Sequence, residues 1–220
     1  MLERVGLRLV GEVGWGVKAR VYVGAVASIA DLGTDLTVCY IFWEEKRMDY
    51  FEMTLGTVLL SMSIQLLVVF MQNRKRGVRK VFLEAIPVLI GLKPAVDAFR
   101  VAGGVREEAG VFIDNMVEMT LNKSVELFAE AIPGVIIQLL AIATADGEVG
   151  EVSVAAWLSL SASLLSAGFI GSTISYDFDT DPVRRQETPE FYGYIPANAR
   201  KRSLTFLSML FLSGTLLLTR

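Results

Sequence analysis

An all-α, multi-pass transmembrane helical bundle, with about five spans and one re-entrant or broken helix, is the fold this sequence predicts. Three observations carry it. Hydrophobic residues make up 53 % of the 220 residues and the mean hydropathy is +0.49, well above a soluble domain. The apolar residues fall into blocks of about 20, the length that crosses a ~30 Å hydrocarbon core, rather than spreading at period 3.6 or 2. Basic residues gather between those blocks, as they do in loops that stay in the cytoplasm.

The elements follow in order within one membrane domain, residues 1–220. Residues 1–20 hold Arg4, Arg8, Lys18 and Arg20 among Leu, Val and Trp15, and lack the apolar core and cleavage site of a signal peptide. They read as an interfacial, amphipathic lead-in. Residues 21–43 form a first span, ending in Tyr40 and Trp43 where amphipathic rings meet headgroups, with Asp31 and Asp35 near its middle. Residues 51–71 form a second span, followed at once by Arg74, Lys75, Arg76, Arg79 and Lys80.

Residues 81–102 are apolar but interrupted by Glu84, Lys93, Asp97 and Arg100 and by Pro87 and Pro94. Prolines release backbone carbonyls that only protein or a wet cavity can satisfy at membrane depth, so this block reads as re-entrant or broken. After a polar connection come spans at 126–144, which buries Glu130, and at 154–174, rich in Ser, Ala and Gly. A polar stretch at 175–202 leads to a last apolar block at 203–219. The shared Phe-x-Glu-Ala-Ile-Pro of 82–87 and 128–133 leaves two readings open, chance and related halves.

Positive charge orients the chain. If every block crossed, the basic 175–202 loop would lie outside and the cation-free turn at 145–151 inside. If 81–102 dips in and returns, every basic loop and the N-terminus lie in the cytoplasm, and a plasma-membrane protein of that topology is the expectation.

Function classes narrow quickly. With no His and one Cys, histidine-dependent hydrolases, histidine-ligated metals and intrachain disulfides are excluded. No Walker-type phosphate loop is present, which excludes an ATP-driven pump on this chain. A formal net charge of −3 and no basic stripe carrying aromatics argue against a nucleic-acid partner. No enzyme activity, cofactor, metal or catalytic residue is expected.

The candidate residues are intramembrane polar groups. Asp31 and Asp35 are four apart, hence on one helix face, with Ser28 and Thr34 near that stripe. A carboxylate at mid-membrane normally faces protein or water, so the pair reads either as a polar track or as salt-bridged to Lys93 or Arg100. Glu118, Asn122, Glu126, Glu130 and Gln138 recur at multiples of four, the outer ones readable as a solvated helix end. Glu130 again reads either as a track residue or as half of a buried pair. Lys93, Asp97 and Arg100 look like a self-neutralising structural set. In SYDFDTDPVRR, Asp177, Asp179 and Asp181 alternate, but Pro182 stands where an EF-hand needs Gly, so pairing with Arg184 and Arg185 is expected instead.

Two of these stretches resemble a known family. Ser28-x-x-Asp31-x-x-Thr34-Asp35 is similar to the first helix of the XK-related membrane proteins, and Glu130-x-x-Pro133-x-x-x-x-Gln138 is similar to their Glu-x-x-Pro-Gln-x-x-x-Gln helix. The DFDTDP and FYGYIP stretches at 177–182 and 191–196 resemble algal and protist members. That family includes phospholipid scramblases, which exchange lipids between leaflets without ATP, and has eight spans plus membrane-embedded half-helices. The resemblance implies that Asp31, Asp35 and Glu130 lie along a polar path through the bilayer. Two departures stand out: Gly134 replaces Gln after the proline, and Arg220 falls in or just after the last apolar block, so a cleavable regulatory tail would lie beyond it. The chain is therefore expected to be a shortened relative or a piece of a longer eight-span protein.

The resulting expectation is an ATP-independent, scramblase-like transport protein acting on phospholipids. Its rivals are an ion or solute transporter, and a non-transporting subunit whose charges pair with a partner's span. The partners expected beside phospholipids are a single-span accessory membrane protein or a second copy of the chain.

Overall fold

The computed structural model describes residues 15–103, 115–144, 154–180, 182–196 and 198–218. Most of the lead-in, the inner part of the 103–125 connection, the acidic turn at 145–151 and Asp181 lie outside the described residues. Every regular element among those described is helical. In chain order they are α1 (Trp15–Glu44), α2 (Met48–Asn73), α3 (Val78–Leu89), α4 (Lys93–Ala102), α5 (Asn115–Glu126), α6 (Ile132–Ala143), α7 (Val154–Thr180), α8 (Pro182–Glu187) and α9 (Ala199–Leu218).

Four helices are long and apolar enough to cross a membrane by length and composition: Lys18–Glu44, Met48–Arg76, Val117–Ala143 and Ala156–Thr180. α1 is central, packing against α2, α4 and α7, while α9 lies along α7. Small residues set the α7–α9 approach: a Cβ on Gly168 would stand 2.9 Å from the Leu210 carbonyl oxygen. Outward faces carry large apolar side chains, such as Leu59, Leu67 and Phe70 on α2, as a surface solvated by acyl chains should.

The third apolar block is broken into two helices. α3 and α4 contain 12 and 10 residues, or about 18 and 15 Å, each well short of a ~30 Å core. Between them Gly91 takes φ +71°, and a Cβ there would collide with Leu32 of α1, so both backbone and space require glycine. Single cysteines at positions 78 and 106, in a Cys39→Ala background, should label from the same side of a sealed vesicle with an impermeant maleimide. Labelling from opposite sides would refute a hairpin that enters and leaves through one face.

α5 and α6 form one long helix widened by a π turn at Leu127–Ala131, where the Ile132 N–H donates to the Leu127 carbonyl five residues back. Pro133, two residues on, has no N–H to offer the Ala129 carbonyl, and the wider turn is the local answer. It also realigns side chains. Positions four apart creep about 40° per step around an ideal helix, and the slower rotation of a π turn brings Glu130 back toward the face of Glu126.

At the other end Arg47 closes the helix. Its guanidinium donates to the Ala141 carbonyl (2.8 Å) and the Thr144 hydroxyl (3.1 Å) and lies over the Tyr50 ring. A cation on the last carbonyls of α6 satisfies the acceptors that every helix C-terminus leaves open.

Candidate functional site

The buried polar side chains divide into two groups with opposite electrostatics. The first is neutralised. Lys93, at the start of α4, is 1 % exposed and donates to Asp97 Oδ1 and to Glu118 Oε1, both at 2.7 Å. Asn122 donates to Asp97 Oδ2 (3.1 Å), and Gln72 of α2 reaches Glu118 (3.5 Å). Arg100 does not join Asp97. It turns to Glu84 of α3 at 2.7 Å, with Lys80 3.4 Å from the same oxygen. Arg100 and Lys80 together neutralise the buried Glu84 carboxylate. Glu118 is thus no solvated helix end. It is buried and clamps the α3–α4 hairpin to α5.

The second group lacks ion pairs among the described residues, although the charge of the buried Lys123 acts on Glu126. Asp31 and Asp35 of α1, Glu126 of α5 and Glu130 of the π turn are each 6 % exposed or less and close enough to act on one another electrostatically. None of the four forms an ion pair among the described residues. The cations that would neutralise Asp31, Asp35 or Glu130, namely Lys93 and Arg100, are engaged elsewhere, as just described. Gln138 Nε2 donates to Asp35 Oδ1 at 3.3 Å, whereas both oxygens of Asp31 are buried without a hydrogen-bond partner. Ser28 lies beside Glu126, and Ser163 and Ser166 of α7 lie beside Asp31, close enough to turn their hydroxyls toward these acids though not in full hydrogen-bond geometry. Ser61 of α2, next to Glu130, accepts from Gln65 (3.1 Å). Buried polar atoms left open in such number call for a partner such as ordered water, an ion or a ligand.

A cavity of about 30 Å³ reaches this cluster, lined by Ser28, Leu32, Gln65, Gly91, Glu126 and Glu130 among others, with room for about two waters. The α3–α4 turn forms one wall through Val88, Gly91, Lys93 and Pro94. On α6, Gly134 faces Asp35: a Cβ there would stand 3.9 Å from Oδ2. No group of three or more acids or cysteines among the described residues is arranged to hold a metal ion. Of the four acids, Glu126 and Glu130 line the cavity itself, and Asp31 and Asp35 stand behind them on α1.

Thr34 is not part of that space, because its hydroxyl donates to the Asp31 carbonyl (2.8 Å) of its own helix. Glu126, Ser61, Ser163, Ser166 and Lys123 join the neighbourhood though sequence reasoning did not select them as site residues. The serines of α7 recur as Ser159, Ser163 and Ser166, a helical stripe that was there to be seen. Lys123 is 3 % exposed with an unpartnered Nζ, and Gly24 makes room for it, since a Cβ there would lie 2.6 Å from that nitrogen. The DFDTDP acids separate: Asp177 pairs with Arg20 of α1 at 2.6 Å, and Asp179 pairs with Arg185 at 3.3 Å. The Arg184 side chain lies outside the described residues.

Among known families, that described as XK-related protein matches residues 20–176, from the first turns of α1 almost to the end of α7. No curated protein and no solved structure matches the chain. The matched stretch contains both acids of α1, the broken third block and the whole α5–α6 helix, and it covers more than two thirds of the 220 residues. With its apolar spans, this integral membrane protein belongs to the XK-related family.

Proposed function

We propose that the chain is an ATP-independent, scramblase-like transport protein in which Asp31, Asp35, Glu126 and Glu130 offer a cationic lipid headgroup group a polar place to rest inside the membrane. The observation that carries this reading is the gathering of four buried carboxylates with no cation in ion-pair distance among the described residues. A headgroup entering bare hydrocarbon loses its hydration, and a charge at mid-membrane costs about 3 kcal/mol even on lenient insertion scales. Carboxylates and free serine hydroxyls replace that hydration for an ammonium or choline group. The absence of a chelating arrangement among the described residues favours a diffuse organic cation over a metal ion.

Reconstituted chain in sealed liposomes, with dye-labelled lipid flip measured beside ion flux, tests the reading. Lipid exchange without ATP is the expected result. Ion flux alone would make the protein a channel, and neither would make it a non-transporting subunit.

Glu130→Gln refines the test, because it keeps shape and removes charge. Lipid flux should fall about tenfold or more while the melting temperature in detergent holds, since the geometry gives Glu130 no basic partner to orphan. A large stability loss with unchanged flux per folded molecule would assign Glu130 to the scaffold.

A further inference from the structure

The loop between α8 and α9 takes no part in the acid cluster, yet it is held in place with unusual care. Asp179, on the last turn of α7, accepts the N–H groups of Gly193 (2.8 Å), Tyr194 (3.0 Å) and Ile195 (2.9 Å). Gly193 adopts φ +99°, which lets consecutive N–H groups converge on one carboxylate. Arg185 donates to the Asp179 carbonyl (2.6 Å), to its carboxylate and to the Ile195 carbonyl (3.3 Å). From the far side Arg202, in the first turn of α9, donates Nε to the Pro196 carbonyl at 2.8 Å. The DFDTDP and FYGYIP stretches are thus two halves of one platform.

What the platform presents is apolar. Phe191 and Tyr194 are 72 % and 74 % exposed, although the backbone carrying them is pinned from both ends. At the start of α9, six and seven residues after Tyr194, Arg200 and Lys201 are exposed and form no ion pair among the described residues. Residues 182–202 carry five cations against Glu187 and Glu190. Directly after the basic trio, Leu204 opens the exposed apolar stripe of α9 that continues through Leu207 and Phe211. Exposed rings and cations next to the start of an exposed apolar helix face are the residue types that gather at a headgroup layer.

We infer that this loop is a docking surface for anionic lipid headgroups of the leaflet it faces, with Phe191 and Tyr194 seated among the upper acyl segments and Arg200 and Lys201 on the phosphates. Charge complementarity and continuity with the lipid-facing surface of α9 select lipid over a protein partner. The positive-inside expectation puts the loop at the cytoplasmic leaflet, where anionic lipids concentrate. Nothing in this inference depends on transport.

The test uses the full chain carrying Phe191→Cys and Cys39→Ala with a nitroxide on the new thiol. It is placed in nanodiscs of phosphatidylcholine alone and of phosphatidylcholine mixed with phosphatidylserine. Collisions with a water-soluble nickel chelate should fall, and those with oxygen rise, when the anionic lipid is present. Adding Arg200→Gln and Lys201→Gln should remove most of that difference, each cation near an anionic surface being worth about a fivefold change in equilibrium. Among the described residues neither charge has an ion-pair partner, so the fold should survive, and an unchanged melting temperature checks it. Equal nickel accessibility in the two membranes overturns the inference. So does spin–spin broadening in both membranes without burial, which would assign the patch to a second copy of the chain.

Discussion

If the proposed lipid exchange runs over these acids, Asp31→Ala combined with Asp35→Ala is expected to lower it about a hundredfold and to leave the protein as stable as before, or more so. Losing the resting place that the two acids share for a headgroup cation restores a barrier of about 3 kcal/mol, and a factor of ten per 1.4 kcal/mol makes that roughly a hundredfold loss of flux. Stability moves the other way for a structural reason. Asp31 has two buried oxygens with no hydrogen bond, Asp35 has one long contact from Gln138, and Glu126 and Glu130 add like charge nearby. Removing two acids from that neighbourhood relieves repulsion and orphans no base, so no loss of stability is expected. Flux per inserted molecule and melting in detergent, measured on one preparation, decide it. Wild-type flux in the double mutant sinks the polar track, and a large loss of stability restores the salt-bridge reading.

The sequence made the acid-bearing faces legible and left their partners hidden, for a physical reason. Asp31 with Asp35, and Glu118 with Asn122, Glu126 and Glu130, are set by helical periodicity alone, so spacing suffices to place them on common faces. Which cation neutralises which acid depends on how a hairpin folds back. Arg100 and Glu84 are 16 residues apart, and Lys93 and Glu118 are 25 apart, so neither pair leaves a local signature. Arg100 follows Asp97 by three residues, which makes their pairing the natural sequence reading, yet the turn at Gly91 carries Arg100 to the older half of the hairpin. The π turn was equally hidden. Pro133 announces a disturbance in the helix, but whether it becomes a kink or a widened turn is settled by packing against α2 and α7.

Lys93→Met should be the most destabilising single change in the neutralised group. The ammonium is 1 % exposed and stands 2.7 Å from carboxylates on two different helices, so its loss leaves Asp97 and Glu118 buried together in the protein interior without it. Asn122 and Gln72 can each donate to one of them, but neither brings charge. Removing one partner from a buried ionic group costs about 3–5 kcal/mol, which for a domain of this size lowers the melting temperature by roughly 6–20 °C. The same logic fixes the rescue. Lys93→Met with Asp97→Asn and Glu118→Gln removes the orphaned charges together, and should recover most of the lost stability, because desolvating a buried ion pair consumes much of what its attraction returns. A triple variant no better than the single one would mean that Lys93 holds the hairpin by shape rather than by charge. Lipid flux in the rescued protein then separates scaffold from site. If the α3–α4 hairpin only needs to be seated against α5, flux returns with stability. If the charge of Lys93 tunes the neighbouring carboxylates across the cavity wall it lines, stability returns and flux does not.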